Sequence, residues 1–490
     1  MTDSSHRPAA AGPSVTETHI STVFFTVDRA YKVLKPLRTS FLDFSTVDRR
    51  VRAIDDELEL NRRMAPDVYL GTADVEEYDE LVDRMLVMRR LPDERRLTRM
   101  ITSLDLDDLI RQIVRKVAAF HAAQPPLPEA VDIAGRDAVA GNWANNIADM
   151  ASLIGEVFDA DEFALVSELA HRYLAFSEKL FDSRLTDGFV RDGHGDLTAE
   201  DIFCLDDGPR ILDCLAFDRR LRVADVLCDV AFLAMDMDRM AGPTAADAVW
   251  SLYTEFSNEH HPESLAHHYV AYRAHVRAKV ASIRHRQGDG QAAAEARTYL
   301  HVCRRHLELA KRRLVIVGGS PGSGKTTVSR TISGARAWSM VGSDAIRKEL
   351  TGRGQTDHDF VEPDQGIYVT EVSDRTYEEV FRRAQVLLEH GESVIIDASF
   401  NDIGRREQAR LLARQSGADL LELECILDSA TAKDRLEHRL ARDQDPSDAR
   451  PQILDALRAR QALWPEATPV ATAGSFEQVE KAALAAVQGG

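Results

Sequence analysis

The chain has 490 residues, of which 44% are hydrophobic and 29% are charged, and its formal net charge is −19 at pH 7. This length predicts two or three domains, the acidic balance argues against general nucleic-acid binding, and no apolar run approaches the roughly 20 residues that span a bilayer. Five widely spaced cysteines without a CxxC pair argue against a zinc ribbon or a disulfide framework. We therefore expect a cytoplasmic protein with reduced thiols and no membrane anchor.

The predicted elements of the first half combine a short β-rich segment with a long helical one. Residues 1–15 are polar and rich in Pro and Ala, which predicts a disordered tail. Ser21–Lys35 contains two β-rich runs and predicts a hairpin, and a helix over Val51–Met64 and a strand over Met85–Leu91 follow. From Leu104 onward the pattern is mainly helical.

Two features interrupt this helical region before the pattern changes. A short β-like stretch lies between Phe189 and Cys214, and the turn Gln287–Gly290 separates the long helices of Ser264–Arg313. Beyond this point strands alternate with helices, which predicts a parallel sheet in an α/β domain. The predicted strands are Leu314–Val317, Ala337–Val341, Ser393–Ile396 and Leu420–Ile426.

The strongest motif lies between the first of these strands and a helix. It matches G-x-x-x-x-G-K-[ST], in which the glycines let successive backbone N–H groups point at phosphate oxygens. The lysine reaches the β- and γ-phosphates, the hydroxyl after it holds Mg²⁺, and the next helix adds its positive N-terminal end. The predicted nucleotide-binding residues are Gly319, Ser320, Pro321, Gly322, Ser323, Gly324, Lys325, Thr326 and Thr327, with Thr326 as a metal ligand.

Two carboxylates downstream fit the same chemistry. Asp397 ends the strand VIID and is the predicted Walker-B-type carboxylate that supports Mg²⁺. Asp344 follows the second predicted strand, and two interpretations stay open for it. It is either an ordinary carboxylate in the first turn of a helix, where Asp is favoured, or a catalytic group that faces the acceptor hydroxyl.

Three arginines further along share one helical face, because they are spaced i, i+4 and i+7. Arg435, Arg439 and Arg442 either form a solvated face with acidic neighbours or belong to a lid that stabilises the transferring charge. Of the three, Arg439 is the predicted catalytic residue.

A second constellation lies in the first half, in the sequence HGDLTAED. It has the spacing of a kinase catalytic loop, H-x-D-x-x-x-x-N. Asp196 takes the position of the catalytic Asp, and Asp201 takes the position of the metal-binding Asn. A short predicted hairpin then returns the chain to Asp213, which we expect to be a second Mg²⁺ ligand.

A strand lysine paired with a helix glutamate would complete this site, because such a pair positions the α- and β-phosphates. Lys32 on the predicted hairpin and Glu57 on the predicted helix form our candidate pair. Lys35 is an alternative to Lys32, since strand alternation puts the two lysines on opposite faces.

The second half resembles the small P-loop kinases that phosphorylate metabolites, including the gluconate-kinase, zeta-toxin and chloramphenicol-phosphotransferase-like groups. The motifs GGSPGSGKTT, SDAIRKEL and VIIDASF carry this resemblance, which covers residues 311–475. It implies a shared fold and mechanism, whereas the acceptor differs among these groups.

The first half resembles the aminoglycoside phosphotransferase and choline-kinase-like group through LNRRMAPDVYLG, HGDL, DVAFLAMDMD and YRAHVRAKV. The whole chain resembles bacterial proteins that fuse such a domain to a P-loop kinase. The resemblance implies a protein-kinase-like α+β domain over 16–310, with its N-terminal lobe at about 16–95, and an α/β P-loop domain with a parallel sheet over 311–490. Asp201, in place of Asn, and Ala216, in place of Glu, depart from the group's pattern.

Together these observations predict an enzyme that uses ATP and Mg²⁺ to phosphorylate a hydroxyl group of a small-molecule acceptor, with a nucleotide site in each half. The departures leave an alternative from a different class, a nucleotide-sensing regulatory protein with a degenerate N-terminal kinase fold and a P-loop ATPase switch. Neither the acceptors nor the oligomeric state follows from the sequence.

Overall fold

A computed structural model describes residues 13–18, 20–38, 43–353, 370–440, 454–459 and 461–488 of the chain. Within these ranges, no helix is both long and apolar enough to cross a membrane. The chain divides into two compact units. The first comprises Met1–Val166, Phe181–His261 and Tyr269–His306, and the second comprises Ser167–Leu180, Pro262–His268 and Leu307–Gly490.

The first unit begins with an antiparallel five-stranded sheet of order β1-β2-β3-β5-β4. Its strands are β1 (Ser14–Glu17), β2 (Ser21–Phe25), β3 (Arg29–Leu34), β4 (Tyr69–Glu77) and β5 (Glu80–Arg89). The predicted hairpin is confirmed, because β2 pairs with β3. The predicted tail is wrong for Ser14 and Val15, which pair with β2, and residues 1–12 lie outside the described ranges. Strand β4 was not predicted, because its Gly, Ala, Asp and Glu residues have low strand propensity.

Helix α1 (Val47–Arg62) packs on this sheet and confirms the predicted helix, although it begins earlier in the chain. Ile54, Glu57 and Asn61 are spaced three and four residues apart, so they lie on one face of the helix, and all three are buried. Ile54 belongs to the core that includes Leu34 and Leu86. The same apolar face therefore carries the Glu57 carboxylate into the interior.

The remainder of the chain up to residue 309 is mainly helical, as predicted. Two short antiparallel ladders interrupt it, one between β6 (Val190–Asp192) and β9 (Val223–Asp225), the other between β7 (Ile202–Leu205) and β8 (Gly208–Ile211). The helices are α2 (Leu97–Met100), α3 (Leu106–Ala123), α4 (Val131–Ala134), α5 (Arg136–Met150), α6 (Ala160–Ala175), α7 (Glu178–Thr186), α8 (Val226–Ala241), α9 (Pro243–Ser257), α10 (Glu263–Arg286) and α11 (Ala292–Leu309).

The second unit is built on a parallel five-stranded sheet of order β11-β12-β10-β13-β14. Its strands are β10 (Arg313–Gly318), β11 (Ser339–Gly342), β12 (Val394–Asp397), β13 (Asp419–Ile426) and β14 (Thr468–Ala471). The parallel sheet predicted from the alternating pattern is confirmed, and only β14 was missed. Strands β10 and β12 are almost fully buried, which agrees with their runs of Val, Ile and Leu.

Helices cover both faces of this sheet. Successive residues of β10 point to opposite faces, so Leu314 and Ile316 belong to one core while Val315 and Val317 belong to the other. Because β10 and β12 are parallel neighbours, the loop after β10 and the end of β12 meet at one edge of the sheet. The helices are α12 (Lys325–Arg336), α13 (Ser343–Leu350), α14 (Thr370–Glu389), α15 (Ile403–Gln415), α16 (Ser429–Leu440), α17 (Leu454–Ala459) and α18 (Phe476–Gln488).

These two architectures confirm the predicted fold class. The first unit has the antiparallel sheet, the packed helix and the following helical segment of a protein-kinase-like α+β fold. The second has the parallel sheet and the strand–loop–helix connection of a P-loop α/β fold.

Candidate active site

A cavity of about 590 Å³ lies in the first unit and brings together the predicted site residues of the first half. Strands β1, β2, β3 and β5 line one part of it, and the segment that leads from the HGD loop to Phe217 lines another. The predicted residues on its wall are Lys32, Glu57, Asp196, Asp201 and Asp213.

Lys32 and Glu57 form an ion pair inside this cavity. The Lys32 Nζ lies 2.7 Å from Glu57 Oε1, and both side chains are largely buried. Lys35 points elsewhere, since its Nζ bonds the Thr18 carbonyl oxygen at 2.7 Å and pairs with Glu17 at 3.1 Å. Of the two lysines that strand alternation left open, Lys32 is therefore the one at the cavity.

Asp213 lies beside the same lysine, Lys32, and has an unusual backbone conformation. Its φ of 60° is left-handed, a region that non-glycine residues seldom occupy but Asp tolerates. The Tyr69 hydroxyl accepts a hydrogen bond from the Asp213 backbone N–H at 3.0 Å, and Asp213 Oδ1 lies 3.4 Å from Lys32 Nζ. The positive charge of Lys32 lowers the pKa of Asp213. Sequence reasoning missed Tyr69, because nothing in its local pattern marks this long-range contact.

The loop that carries Asp196 is fixed by buried carboxylates of α8. Asp229 accepts hydrogen bonds from the backbone N–H groups of His194 and Gly195, and His121 lies 3.3 Å from the same carboxylate. At the other end of the loop, Asp236 Oδ2 accepts a hydrogen bond from the Ala199 backbone N–H at 2.9 Å. Both aspartates lie in the motif DVAFLAMDMD, so the sequence contained a signal for them, although it did not indicate their role.

The two aspartates of the loop, Asp196 and Asp201, have pKa values above those of free aspartates. Burial raises the pKa of Asp196 to about 6, and the charges of Arg277 and Arg273 oppose that rise. Burial, with the nearby charge of Asp213, raises the pKa of Asp201 to about 8, although the Thr198 hydroxyl donates to it at 2.8 Å. Asp201 is therefore largely protonated at neutral pH when no cation is bound.

The P-loop of the second unit joins β10 to α12 and depends on glycine at three positions. Gly319, Gly322 and Gly324 have φ values of 135°, 77° and 91°, which L-residues rarely adopt. A Cβ atom at Gly319 would also lie 2.8 Å from the Cys425 carbonyl oxygen. The loop therefore keeps the tight curl that a phosphate-binding backbone needs. The intervening predicted positions are Ser320, Pro321 and Ser323.

Lys325 and Thr326 begin α12 and have different partners. Lys325 Nζ donates to the Ser320 carbonyl oxygen at 3.2 Å, so the lysine folds back over the loop. Thr326 Oγ1 donates to Asp397 Oδ2 at 2.6 Å. Burial raises the pKa of Asp397, while the charge of Lys325 and the Thr326 hydrogen bond oppose the rise. These three predicted residues lie together at the edge where β10 and β12 end.

The other predicted site residues of the second half, Thr327, Asp344 and Arg439, differ in their surroundings. Thr327 is exposed on the first turn of α12. Asp344 lies in the first turn of α13 and accepts a hydrogen bond from Arg347 at 2.6 Å, and its charge adds to the effect of burial on the pKa of Asp397. Arg439 lies in α16, but its side chain and the whole of Arg442 are outside the described residues.

Two other arginines lie at the P-loop. Arg435 donates to the Thr472 carbonyl oxygen at 2.7 Å and runs beside Gly324. Arg458 donates to Ser320 Oγ at 3.2 Å. Arg435 belongs to the predicted arginine stripe, whereas Arg458 had no local signal because 138 residues separate it from its partner in the loop.

The oxygen donors of both sites suit Mg²⁺, which binds few protein carboxylates and keeps its other positions for water and phosphate oxygens. Asp201 with Asp213 would hold it in the first unit, and Thr326 with Asp397 in the second. The described residues contain no group of three or more His, Cys, Asp or Glu side chains that could hold a metal ion by themselves.

The chain is similar to one known protein family and to several solved structures. Residues 314–463 match the family described as an AAA domain, which confirms the predicted P-loop domain. Among solved structures, a choline/ethanolamine kinase family protein from Mesorhizobium loti is 13% identical and covers 62% of this chain and 94% of its own, with a TM-score of 0.41. A gluconokinase from Sinorhizobium meliloti 1021 is 17% identical and covers 36% of this chain and 94% of its own, with a TM-score of 0.27.

A curated relative spans nearly the entire chain. Uncharacterized protein Rv2004c of Mycobacterium tuberculosis is 36% identical over 467 residues, which cover 95% of this chain and 93% of the relative. An identity of this size over both halves relates the chains as wholes rather than through one shared domain. The chain therefore belongs to the family of this mycobacterial protein, which joins a kinase-like α+β fold to a P-loop α/β fold.

Proposed function

We propose that the protein is an ATP- and Mg²⁺-dependent phosphotransferase that moves the γ-phosphoryl group of ATP to a hydroxyl group of a small-molecule acceptor, with two nucleotide sites in one chain. The observation that carries this proposal is the position of Lys32 Nζ, 2.7 Å from Glu57 and 3.4 Å from Asp213, in the cavity that Asp196 also lines. A lysine held by a helix glutamate beside two loop carboxylates is the arrangement that kinases use on ATP.

In the first site, Lys32 would bind the α- and β-phosphates while Glu57 holds its ammonium group in place. Asp196 would orient the acceptor hydroxyl and take its proton as the oxygen attacks the γ-phosphorus. The bond between that phosphorus and the β–γ bridging oxygen breaks, and ADP leaves. Mg²⁺, held by Asp201 and Asp213, would supply positive charge that offsets the negative charge of the phosphates.

In the second site, the P-loop backbone and Lys325 would bind the phosphates, and Thr326 with Asp397 would support Mg²⁺. Asp344 would face an acceptor hydroxyl, and Arg439 would stabilise the transferring charge. The hydrogen bond from Thr326 to Asp397 supports this assignment, because it joins the two residues that such a site needs on one cation.

The test is acceptor-dependent ADP release with Mg-ATP, measured with sugars, amino sugars, aminoglycosides and nucleosides. The wild type is compared with Asp196→Ala and with Lys325→Ala. We expect each variant to lose a different part of the turnover, which would assign one activity to each site. ATP binding without acceptor-dependent turnover on the whole panel would contradict the proposal.

A second candidate function is a nucleotide-sensing regulatory protein, and one observation favours it. Asp201 stands at a position where the related group has Asn, and its carboxylate adds a negative charge near Asp213 at the place where the phosphates would bind. A sensor would bind ATP with little turnover at the first site. Asp201→Asn separates the two functions, since it should raise the turnover of an enzyme but create none in a sensor.

A further inference from the structure

Two residues at the end of helix α1 contact the loops of the first site. Asn61 lies in the last turn of the helix, four residues after Glu57, and Arg63 directly follows the last helical residue. Asn61 is almost fully buried, and Arg63 is half-buried. The helix that carries the glutamate partner of Lys32 therefore also places two polar side chains at its C-terminal end.

Asn61 holds the backbone beside Asp213. Its Oδ1 accepts a hydrogen bond from the Cys214 backbone N–H at 2.8 Å, and its Nδ2 donates to the Glu57 carbonyl oxygen at 2.9 Å. The preceding backbone donor, the N–H of Asp213, bonds the Tyr69 hydroxyl at 3.0 Å. Two consecutive backbone donors are therefore paired with α1 and with the first residue of β4.

Arg63 contacts the loop that carries Asp196. Its Nη2 donates to the Gly193 carbonyl oxygen at 3.0 Å, and its Nη1 donates to the backbone and side-chain oxygens of Asp192, each at 3.2 Å. The same Nη2 lies 3.2 Å from Cys214 Sγ. Because Gly193 directly precedes the HGD motif, one guanidinium contacts both loop segments that carry the carboxylates of the site.

The other contacts of Arg63 fix the orientation of this guanidinium. Its Nε donates to the Leu60 carbonyl oxygen at 3.1 Å, its Nη1 also donates to Gln124 Oε1 at 3.3 Å, and its plane lies over the Phe120 ring at 5.0 Å. A planar group with five donors in a fixed fork can bond such a set of partners at once. A lysine ammonium group on a flexible stem does not provide this geometry.

Arg62, the neighbour of Arg63 in the chain, has different partners. Its Nε and Nη2 donate to the carbonyl oxygens of Tyr69 and Leu70 at 2.9 and 2.6 Å. Both carbonyls belong to β4, a strand of the sheet on which α1 packs. Arg62 therefore joins the helix to its own sheet, whereas Arg63 joins it to the loops.

We propose that Asn61 and Arg63 are positioning residues of the first site, which fix the phosphate-binding pair on β3 and α1 relative to the two loops that carry the carboxylates. Phosphoryl transfer depends on this alignment, and a misplacement of about 1 Å can cost about a hundredfold in rate. Arg63 acts on the loop of Asp196, so its loss should lower kcat. Asn61 acts on the segment of Asp213, so its loss should weaken the binding of Mg-nucleotide. This inference rests on the proposed function, because it concerns the same reaction.

The experiment uses the full chain with Lys325→Ala as the parent, so that only the first site turns over. Glucose, glucosamine, kanamycin and adenosine represent the four acceptor classes, and the one that gives the highest ADP release with Mg-ATP is used throughout. Arg63→Met should lower kcat by about a hundredfold. Its affinity for Mg-ADP, measured by calorimetry, should change by less than about threefold, with the number of bound ADP molecules per chain unchanged.

Arg63→Lys is the milder variant, and it decides the question if Arg63→Met is insoluble. It keeps the positive charge but lacks the planar fork that bonds Gly193, Asp192 and Cys214 together. Its kcat should therefore stay at least about tenfold below that of the parent. A kcat equal to that of the parent would overturn the role given to the guanidinium.

Arg62→Met is the matched control, because it removes the same side chain from the adjacent position and breaks only bonds to β4. It should leave kcat within about threefold of the parent. Urea unfolding of the Arg62 and Arg63 variants measures how much stability each has lost. If kcat fell in both variants in proportion to that loss, Arg63 would have a merely structural role, and the proposal would be overturned.

Asn61→Leu tests the second residue. Leucine has a similar size but accepts no hydrogen bond, so the Cys214 N–H is left buried without a partner. The affinity for Mg-ADP should fall about tenfold, and the affinity for metal-free ADP should fall less, because Asp213 would act through the cation. Asn61→Asp keeps an acceptor oxygen and should lose less of this Mg²⁺ dependence. Equal losses with and without Mg²⁺ would overturn the assignment of Asn61.

Failure of the proposed function and failure of this inference give different results. Acceptor-dependent ADP release that is absent from the parent would overturn both. Release that is present in the parent and equally retained by Arg62→Met and Arg63→Met would overturn the inference alone.

Discussion

The Gly195 backbone N–H donates a hydrogen bond to Asp229 Oδ1 at 2.8 Å, so a buried carboxylate of helix α8 holds the loop that carries Asp196. The other carboxylate oxygen of Asp229 accepts from the His194 backbone N–H. The hydrogen bond from His121 keeps the pKa of Asp229 below its usual range even though burial works in the opposite direction. One ionised side chain therefore satisfies two consecutive backbone donors next to the catalytic position.

Asp229→Asn should destabilise the first unit and weaken its activity. The carboxamide has only one acceptor oxygen, so one loop N–H is left buried without a partner, which costs about 1–3 kcal/mol. Urea unfolding, followed together with kcat/KM in the Lys325→Ala background, measures both effects. Asp137→Asn is the control, because Asp137 is exposed on α5 and should change stability by less than about 0.5 kcal/mol. Equal effects of the two substitutions would contradict the role given to Asp229.

Lys32→Met should raise the KM for ATP and lower the kcat of the first site. The two changes together should lower kcat/KM by about a hundredfold or more. The physical reason is the loss of the ammonium group between Glu57 and Asp213, which leaves the buried Glu57 carboxylate without its cation and removes the positive charge beside Asp213. Lys35→Met is the matched control just beyond the same strand, since the Lys35 ammonium group bonds Glu17 and the Thr18 carbonyl oxygen rather than Glu57. Steady-state kinetics would reject the assignment if the Lys35 variant lost as much activity as the Lys32 variant.

The pH dependence of the first site should report Asp196. Its pKa, raised by burial to about 6, means that the carboxylate is charged above this pH and protonated below it. A protonated Asp196 cannot accept the hydroxyl proton, so kcat/KM should fall about tenfold per pH unit below about 6. The profile is measured in the Lys325→Ala background, in which the second site is silent. An acid limb close to the usual Asp pKa of about 4 would contradict the burial-shifted carboxylate.

Thr326→Val should weaken Mg²⁺-dependent ATP binding at the second site. The change removes the hydroxyl that donates to Asp397 at 2.6 Å and that we assign to the cation, while the shape of the side chain is kept. Affinity for Mg-ATP should fall about tenfold or more, and affinity for metal-free ATP should fall less. Nucleotide titration in the Lys32→Met background, in which the first site binds ATP weakly, measures this difference with and without Mg²⁺. Thr331→Val, one turn further along α12, is the control and should leave both affinities unchanged.

Much of the candidate site could be read from local patterns. The P-loop needs glycines at fixed positions because its backbone adopts positive φ, and this need is visible in eight consecutive residues. The five-residue spacing from Asp196 to Asp201 and the short hairpin that leads to Asp213 also lie within a short stretch of sequence, so they could be predicted. Local patterns could not decide between Lys32 and Lys35. Strand alternation predicts that the two lysines lie on opposite faces of the strand, but it does not say which face is the one that contacts Glu57.

Contacts between residues that are far apart in the sequence could not be predicted from the sequence. Tyr69 binds Asp213 across 144 residues, and Arg458 binds Ser320 across 138. No periodicity or composition rule links such positions, since each belongs to an ordinary strand or helix. Their partners are set only when the elements pack.

The sequence by itself determined the parallel sheet of the second unit, the helical character of the first and the chemistry of both loops, because these depend on hydrophobic periodicity and on glycine and carboxylate positions within short windows. The tertiary structure decided which groups meet. It brought Ser167–Leu180 and Pro262–His268 into the second unit, where Arg312 donates to the Phe176 carbonyl oxygen at 2.7 Å and Ser264 donates to that of Gly391 at 2.7 Å. Such contacts satisfy buried backbone carbonyls with donors from distant segments, and that requirement exists only once the chain is packed and water is excluded.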